Sequence, residues 1–302
     1  MEKYNIVFAS DRGYLPHLSV ALASLIDSNS EVTLNIYIIN TDIKSDEWLN
    51  LIGLDTQRRH TFFNAQINDN ELVDLVTNYH FTKANYYRLF IDDIVPFDKA
   101  LYIDSDVLVN GSLAGLWNTN VDDFYLAAVE EPGFFTRHND LEMDLNAKYF
   151  NSGVMLLNLN AWRKNEVRKR VLEFVRRKPE AIQYVDQCGL NSIVNGNWLS
   201  VSPKYNMQNA ILDMEKHARN AHYDFDDIDY AVTSPVVIHF TGSSKPWHLL
   251  NKHPFKKKYW NYLRQTTYKR FIPTDFTIKK FLIWCIPNQY RNNIINFFKK
   301  IN

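Results

Sequence analysis

Along the 302-residue chain, the apolar positions switch between a strand period and a helix period. Tyr4 to Ser10, Leu34 to Ile39 and Thr61 to Ile67 read as β-rich runs. Between them, Leu15 to Ile26 places Leu18, Leu22, Leu25 and Ile26 at helical spacing. Ser45 to Leu54 repeats that pattern, with Ser45 as the expected N-cap. Strand, helix, strand, helix, strand is the order of a parallel sheet with crossovers, so an α/β fold is expected. In such sheets ligands sit beyond the carboxyl ends of the strands. The turn Asp11-Arg12-Gly13-Tyr14 occupies that position after the first strand.

Further along, Glu71 to Asp92 reads as mostly helical and presents Arg88 beside apolar neighbours. Ala100 to Ile103 is a buried strand, Leu113 to Trp117 a short helix and Phe124 to Val129 another strand. Glu130 to Asp144 is polar and aperiodic, the composition of a loop that covers a site. Tyr149 to Leu159 is a long strand interrupted by Asn151-Ser152-Gly153. A glycine there marks a bulge, a close approach by a ligand, or simple sheet irregularity. Ala161 to Lys178 predicts one amphipathic helix, and Tyr184 to Val194 a helix on which Asp186 is placed as an N-cap. Residues 204–234 read as loop-rich, and Pro235 to Phe240 as a strand ending in His239.

Charge adds a division that periodicity does not show. Residues 1–251 carry 22 Lys/Arg and 33 Asp/Glu, whereas residues 252–302 carry 12 Lys/Arg and one acid, Asp275. An acidic body disfavours nucleic acid, and a basic, aromatic tail favours an anionic surface. One division follows, between a domain over 1–250 and a helical tail over 251–302. Cys188 and Cys285 form no disulfide framework or zinc spacing, which points to a reducing, cytoplasmic setting. A strand that starts at Tyr4 leaves no expected signal peptide, and no 18-residue apolar run spans a bilayer.

The chemistry concentrates in two turns. Asp104 and Asp106 flank Ser105 at the end of a buried strand, and the period of two turns both carboxylates to one side. Such a pair repels itself unless a cation intervenes, and carboxylate oxygens suit Mn²⁺ or Mg²⁺. A plain surface turn is the alternative. In HFTGSSKPW (239–247), His239 can complete a metal shell, Gly242 admits a phosphate close to the backbone and Lys245 neutralises it. The chain has neither GxGxxG, GxxxxGK[ST] nor GxSxG.

IVFASDRGY (6–14), NYYRL (85–89), LYIDSDVLV (101–109), FNSGVMLLNL (150–159) with DQ (186–187), and HFTGSSKPW (239–247) together resemble glycosyltransferase family 8, in particular its bacterial lipooligosaccharide α-galactosyltransferases. The likeness runs from Asn5 to Trp247. It implies a GT-A fold, a UDP-sugar donor, Mn²⁺ (with Mg²⁺ as the substitute) and transfer with retention of configuration. By the same resemblance Asp104, Asp106 and His239 hold the metal, and Ala9, Asp11, Tyr14 and Ser105 surround the nucleotide. Gly242 and Lys245 grip the pyrophosphate. Arg88, Asn151, Gly153, Asp186 and Gln187 contact the sugar, with Asp186 and Gln187 the candidate catalytic residues. Arg12-Gly13 departs from the family's first turn, which often carries an acid and Asn there, so uridine contacts from that turn are left open.

The expected function is transfer of a hexose, galactose first and glucose second, to a cell-surface glycan, lipid-linked or protein-linked. A metal-dependent nucleotidyltransferase or pyrophosphatase is one rival, and an inactive nucleotide-sugar-binding scaffold another. In the tail, Phe281 to Ile286 and the face Ile294, Ile295, Phe297, Phe298, Ile301 suggest interfacial helices on an anionic inner leaflet. Packing on the body or on a second subunit is the competing use.

Overall fold

The computed structural model describes residues 2–77, 82–132, 137–212 and 223–286. Strand β1 (Lys3–Ala9) leads through helix α1 (Leu15–Ser28) to β2 (Thr33–Asn40), then through α2 (Ser45–Ile52) to β3 (Thr61–Gln66). These three strands pair in parallel, as their spacing by helices requires. Two 3₁₀ segments (Asp69–Leu72 and Lys83–Phe90) and α3 (Ile91–Ile94) precede β4 (Lys99–Ile103) and β5 (Val107–Val109). After α4 (Ala114–Trp117) come β6 (Leu126–Glu130), β7 (Phe150–Asn158), α5 (Leu159–Lys164), α6 (Val167–Arg177) and α7 (Val185–Val194). Then follow β8 (Leu199–Ser200), β9 (Met207–Gln208), α8 (Asn209–Leu212), α9 (Phe225–Thr233), β10 (Val237–His239), α10 (Lys256–Leu263) and α11 (Ile278–Cys285).

The main sheet has seven strands in the order β3-β2-β1-β4-β7-β6-β8. It is parallel from β3 to β4, and β7 runs antiparallel to both its neighbours. Alternate residues feed two separate cores. Val7, Tyr37, Tyr102 and Met155 pack on one face, and Ile6, Ile36, Leu101 and Leu156 on the other. A sheet covered on both faces explains why β1 and β2 read as continuous apolar runs rather than alternating ones. A second sheet, β5-β10-β9, carries a third core that includes Val20, Phe240 and Trp247. Tyr259, Tyr262 and Leu263 of α10 belong to that core.

Several sequence expectations change. Ser45 is the first helical residue of α2 and not its cap; Glu47 Oε2 instead accepts from the Lys44 N–H at 3.0 Å. The expected long helix over 71–92 is two 3₁₀ segments and one short α-helix, with residues 78–81 outside the described set. The 83–90 segment buries five consecutive side chains, Tyr86 to Phe90, so no polar face remains for an amphipathic helix. The single helix over 161–178 is two, because Asn165 closes α5 and Glu166 sits in the left-handed region at φ 48°. Asp186 lies inside the first turn of α7, whose cap position is Tyr184. The loop-rich reading of 204–234 gives way to the β9 strand and the α8 and α9 helices, with 213–222 outside the described residues. Within the expected loop 130–144, residues 133–136 are likewise outside the described set.

Candidate active site

The β1–β4 pairing, with Val7 opposite Tyr102, brings the carboxyl ends of the two strands, and so Ala9 and Asp104, to the same end of the sheet. The Ser105 hydroxyl donates to the Ala9 carbonyl at 3.1 Å, which ties the two strand ends together. From the second sheet, β10 runs antiparallel to β5 with His239 opposite Val107, so the imidazole arrives at the same turn. Asp104, Asp106 and His239 thereby place ligand atoms within 4.8 Å of one another. His239 Nε2 lies 3.2 Å from Asp106 Oδ1 and 3.7 Å from Asp104 Oδ2. Two carboxylates and an imidazole nitrogen aimed at one point are the donor set of a divalent cation such as Mn²⁺ or Mg²⁺. These three residues could hold a metal ion.

Gly153 is the close neighbour of that cluster. Its carbonyl accepts from the Asp104 N–H at 2.8 Å across the β4–β7 ladder. A Cβ at 153 would lie 2.2 Å from His239 Cε1 and 2.7 Å from Asp104 Oδ2. The glycine is therefore required by the approach of the cluster itself. The bulge reading holds as well: pairing with β6 passes from Ala128 opposite Met155 to Glu130 opposite Phe150, so β7 carries the extra residues in the stretch that contains Asn151, Ser152 and Gly153.

Positive charge surrounds the acids. Lys245 Nζ donates to Asp106 Oδ2 and to the Phe240 carbonyl, both at 2.6 Å. Burial pushes the Asp106 carboxyl up, but Lys245 and then His239 outweigh it and hold it well below the usual carboxylate range. Arg88 is buried. It reaches Asp104 Oδ1 at 2.9 Å, Asp186 Oδ2 at 3.1 Å and the Ser152 carbonyl at 2.7 Å, over the face of Tyr102. Burial works against its charge, but Asp104 and Asp186 raise its pKa and keep it a cation. Asp186 has the opposite balance: burial raises its carboxyl to about 6 against the pull of Arg88, with Asp104 adding to the rise.

Gln187 points its carbonyl oxygen at the Ser152 N–H, 3.0 Å away, and Ser152 Oγ donates to Asp186 Oδ2 at 3.1 Å. Asn151 lies on the same strand and donates to Glu131 Oε2 at 2.8 Å. The first turn is held by Asp11, whose Oδ1 accepts from the Tyr14 N–H at 3.2 Å. Tyr14 leaves its ring half-exposed, edge-on to Trp247 at 6.0 Å. Trp247 in turn stacks on His17 at 3.5 Å, and His17 Nδ1 meets the Tyr259 hydroxyl at 2.6 Å. Arg12 turns to Glu47 of α2, with Nε at 2.6 Å. Gly242 adopts φ 77°, and a Cβ there would meet open space.

The fold therefore gathers Asp104, Asp106, His239, Lys245, Gly153, Arg88, Asp186 and Gln187 into one connected cluster, with Asn151 joined to it. Ala9, Ser105, Asp11, Tyr14 and Gly242 rim the same end of the sheet. Tyr102, Ser152 and Asn206 were not singled out by sequence reasoning. Tyr102 had a signal, because it precedes Asp104 by two and shares its side; its hydroxyl donates to Asp104 Oδ1 at 2.6 Å. Asn206 had none.

The family model for glycosyl transferase family 8 matches residues 5–251, more than three quarters of the chain. The chain belongs to glycosyl transferase family 8. It is accordingly an enzyme of glycosyl transfer. General stress protein A of Bacillus subtilis is 29% identical over 271 residues, which cover 88% of this chain and 94% of that protein. The lipopolysaccharide 1,2-glucosyltransferase of Escherichia coli K12 is 28% identical, covering 91% of this chain and 81% of the relative. Among solved structures, the galactosyltransferase LgtC, in complex with donor and acceptor sugar analogues, superposes with a TM-score of 0.78. It is 24% identical, and the match covers 95% of this chain and 99% of LgtC. That likeness fixes the fold as GT-A, with helices flanking the seven-stranded sheet. Among the described residues, no helix is long and apolar enough to cross a membrane.

Proposed function

We propose that this enzyme is a metal-dependent, retaining hexosyltransferase that moves galactose, or failing that glucose, from a UDP-sugar to a cell-surface glycan. The carrying observation is the convergence of Asp104, Asp106 and His239 beside Lys245 in a family 8 chain. The relatives' names divide between the two sugars, and the E. coli relative acts on lipopolysaccharide by its name.

A divalent ion, Mn²⁺ first, held by Asp104, Asp106 and His239 would supply Lewis-acid neutralisation of a leaving diphosphate. Lys245, already within 2.6 Å of Asp106, adds a second positive charge beside that position. Gly242, three residues before Lys245, has open space where a Cβ would stand, which leaves room for phosphate oxygens to approach the backbone. Tyr14, edge-on to Trp247, offers an exposed ring for stacking on the base.

On the sugar side, Gln187 and Asp186 are the polar groups of α7 that face the cluster. Gln187 is an amide and a poor nucleophile. Asp186 is engaged by Arg88 and Ser152 through one oxygen, and its carboxyl is raised to about 6. Both facts support attack on the same face through an oxocarbenium-like state over a covalent glycosyl-enzyme. The Gln187 carbonyl, oriented by the Ser152 N–H, stabilises that state, and the leaving phosphate oxygen serves as base.

The C-terminal segment supplies the link to a lipid-borne acceptor. In α11, Ile278 and Leu282 are exposed beside Phe281, Trp284 and Lys279, a composition suited to an anionic inner leaflet. The apolar face Ile294 to Ile301 lies outside the described residues. On this reading the enzyme works at the cytoplasmic face of the cell membrane, and self-association through the tail is the competing outcome.

The decisive experiment measures UDP release from a panel of UDP-sugars, with Mn²⁺ and then with EDTA, for wild type and Asp106→Asn. One sugar turned over only with metal, and lost in Asp106→Asn, supports the reading and names the donor. Turnover unchanged by EDTA overturns it.

A further inference from the structure

One hydrogen-bond chain behind the metal-ligating cluster has only one consistent assignment of its protons. Asn151 Oδ1 accepts from the Gly153 backbone N–H at 3.0 Å, and a backbone N–H can only donate. Asn151 Nδ2 donates to Glu131 Oε2 at 2.8 Å, a contact that pins the same amide orientation from its other end. Asn206 reaches Asn151 Oδ1 at 2.9 Å, so the atom of Asn206 that faces it is the NH₂. The Asn206 carbonyl oxygen must then face the other way, and it lies 2.9 Å from His239 Nδ1. An amide oxygen only accepts, so the proton of the neutral imidazole sits on Nδ1. Nε2 is therefore the nitrogen left to give its lone pair to a bound ion, and it is the one turned toward Asp104 and Asp106.

We infer that Asn206 is a positioning residue for the metal, which holds His239 in the tautomer and ring orientation that present Nε2 to the ion. The inference rests on the reading that Asp104, Asp106 and His239 bind a divalent cation. Asn206 is fully buried and Asn151 behind it is buried, so no solvent substitutes for the Asn206 carbonyl. Its place is set by the fold: it ends the 3₁₀ turn Pro203–Asn206 and directly precedes β9, which pairs in parallel with β10 and puts Gln208 opposite His239. On the opposite side the ring is confined by Gly153, where even a methyl group has no room. His239 therefore has an oriented acceptor at one nitrogen and the acidic turn at the other, the arrangement by which an outer partner tunes a metal-bound imidazole.

The test titrates Mn²⁺ alone, and Mn²⁺ with UDP, reading free ion by electron paramagnetic resonance. Wild type, His239→Ala, Asn206→Leu and Asn206→Asp are compared. Asn206→Leu removes the acceptor and is expected to weaken Mn²⁺ binding by about 10- to 100-fold, the usual effect of losing such a partner. Asn206→Asp keeps an acceptor for Nδ1–H but sets two acceptors against each other at Asn151, so it damages packing more than coordination. It is expected to bind Mn²⁺ at least as well as wild type. Leu and Asp in the reverse order, or Asn206→Leu equal to wild type, overturns the inference. Equal binding by wild type and His239→Ala overturns the metal-site reading and this inference with it. A second readout needs no metal: imidazole nitrogen NMR in EDTA, with the His239 signals assigned by their loss in His239→Ala. A proton on Nδ1 in wild type and Asn206→Asp supports the assignment even if Asn206→Leu fails to fold, and a proton on Nε2 in the neutral ring of wild type overturns it.

Discussion

Replacing Gly153 by alanine drives a methyl group into the imidazole of His239. The new carbon would stand 2.2 Å from Cε1 and 2.7 Å from Asp104 Oδ2. Ordinary carbon–carbon contact lies near 3.6 Å, so ring and strand must part by about 1.4 Å. Overpacking of that kind costs about 1–3 kcal/mol. Alanine in a strand returns roughly 0.5–1 kcal/mol of backbone entropy, since Gly153 is not in the left-handed region. Net destabilisation of about 1–2 kcal/mol follows, which in a chain of this size lowers Tm by only a few degrees. The functional loss should be larger, because about 1 Å of misplacement at a reacting site costs on the order of 100-fold. Thermal unfolding, Mn²⁺ titration and metal-dependent UDP release on the same preparation check the two parts separately. Gly153→Ala that binds Mn²⁺ and turns over like wild type would refute the claim that this glycine exists to admit the cluster.

Arg88→Lys should destabilise the protein by about 3 kcal/mol in urea unfolding, because one ammonium cannot serve Asp104, Asp186 and Ser152 together and a buried carboxylate is left unpaired. Asp186 predicts a pH effect opposite in sign to that of an ordinary salt-bridged acid. Its folded carboxyl is raised to about 6 by burial, so the folded state takes up a proton before the unfolded state does. In EDTA, wild type should therefore gain stability relative to Asp186→Asn as pH falls from about 7 to about 4, and a constant difference would contradict the assignment. Deleting residues 277–302 should abolish partition to anionic vesicles while leaving UDP release from soluble acceptors intact; unchanged partition points to the tail's use in self-association.

The local periodicities were sufficient to place β1, β2, β3, α1 and the two acidic side chains of the DSD turn, because each depends only on neighbours within a few residues. Tyr102 and Asp104 share one side at the end of β4, which is visible in the spacing alone, whereas Ser105 and Asp106 form a turn, and that turn brings Asp106 beside Asp104. The motif around His239 was legible as chemistry for the same reason: histidine, glycine and lysine after an apolar strand have few structural uses together. Where the reading erred, long-range contacts had overridden local pattern. Lys83 to Phe90 tightened into a 3₁₀ segment whose residues Tyr86 to Phe90 are all buried, and Glu166 broke a helix that the apolar spacing continued through.

Asp186 shows the limit most directly. Its position at a helix start suggested a cap, but its carboxylate is taken by Arg88 from 98 residues upstream and by Ser152 from a strand. The sequence by itself determined the identity and order of the charged groups and the strands that carry them. Only the tertiary structure decided which nitrogen of His239 faces the acids, which carboxylate Arg88 shares, and why residue 153 has no side chain. Those outcomes depend on pairs such as Asn206 with His239 and Gly153 with Asp104, brought together by sheet register, and register is a property of the folded whole.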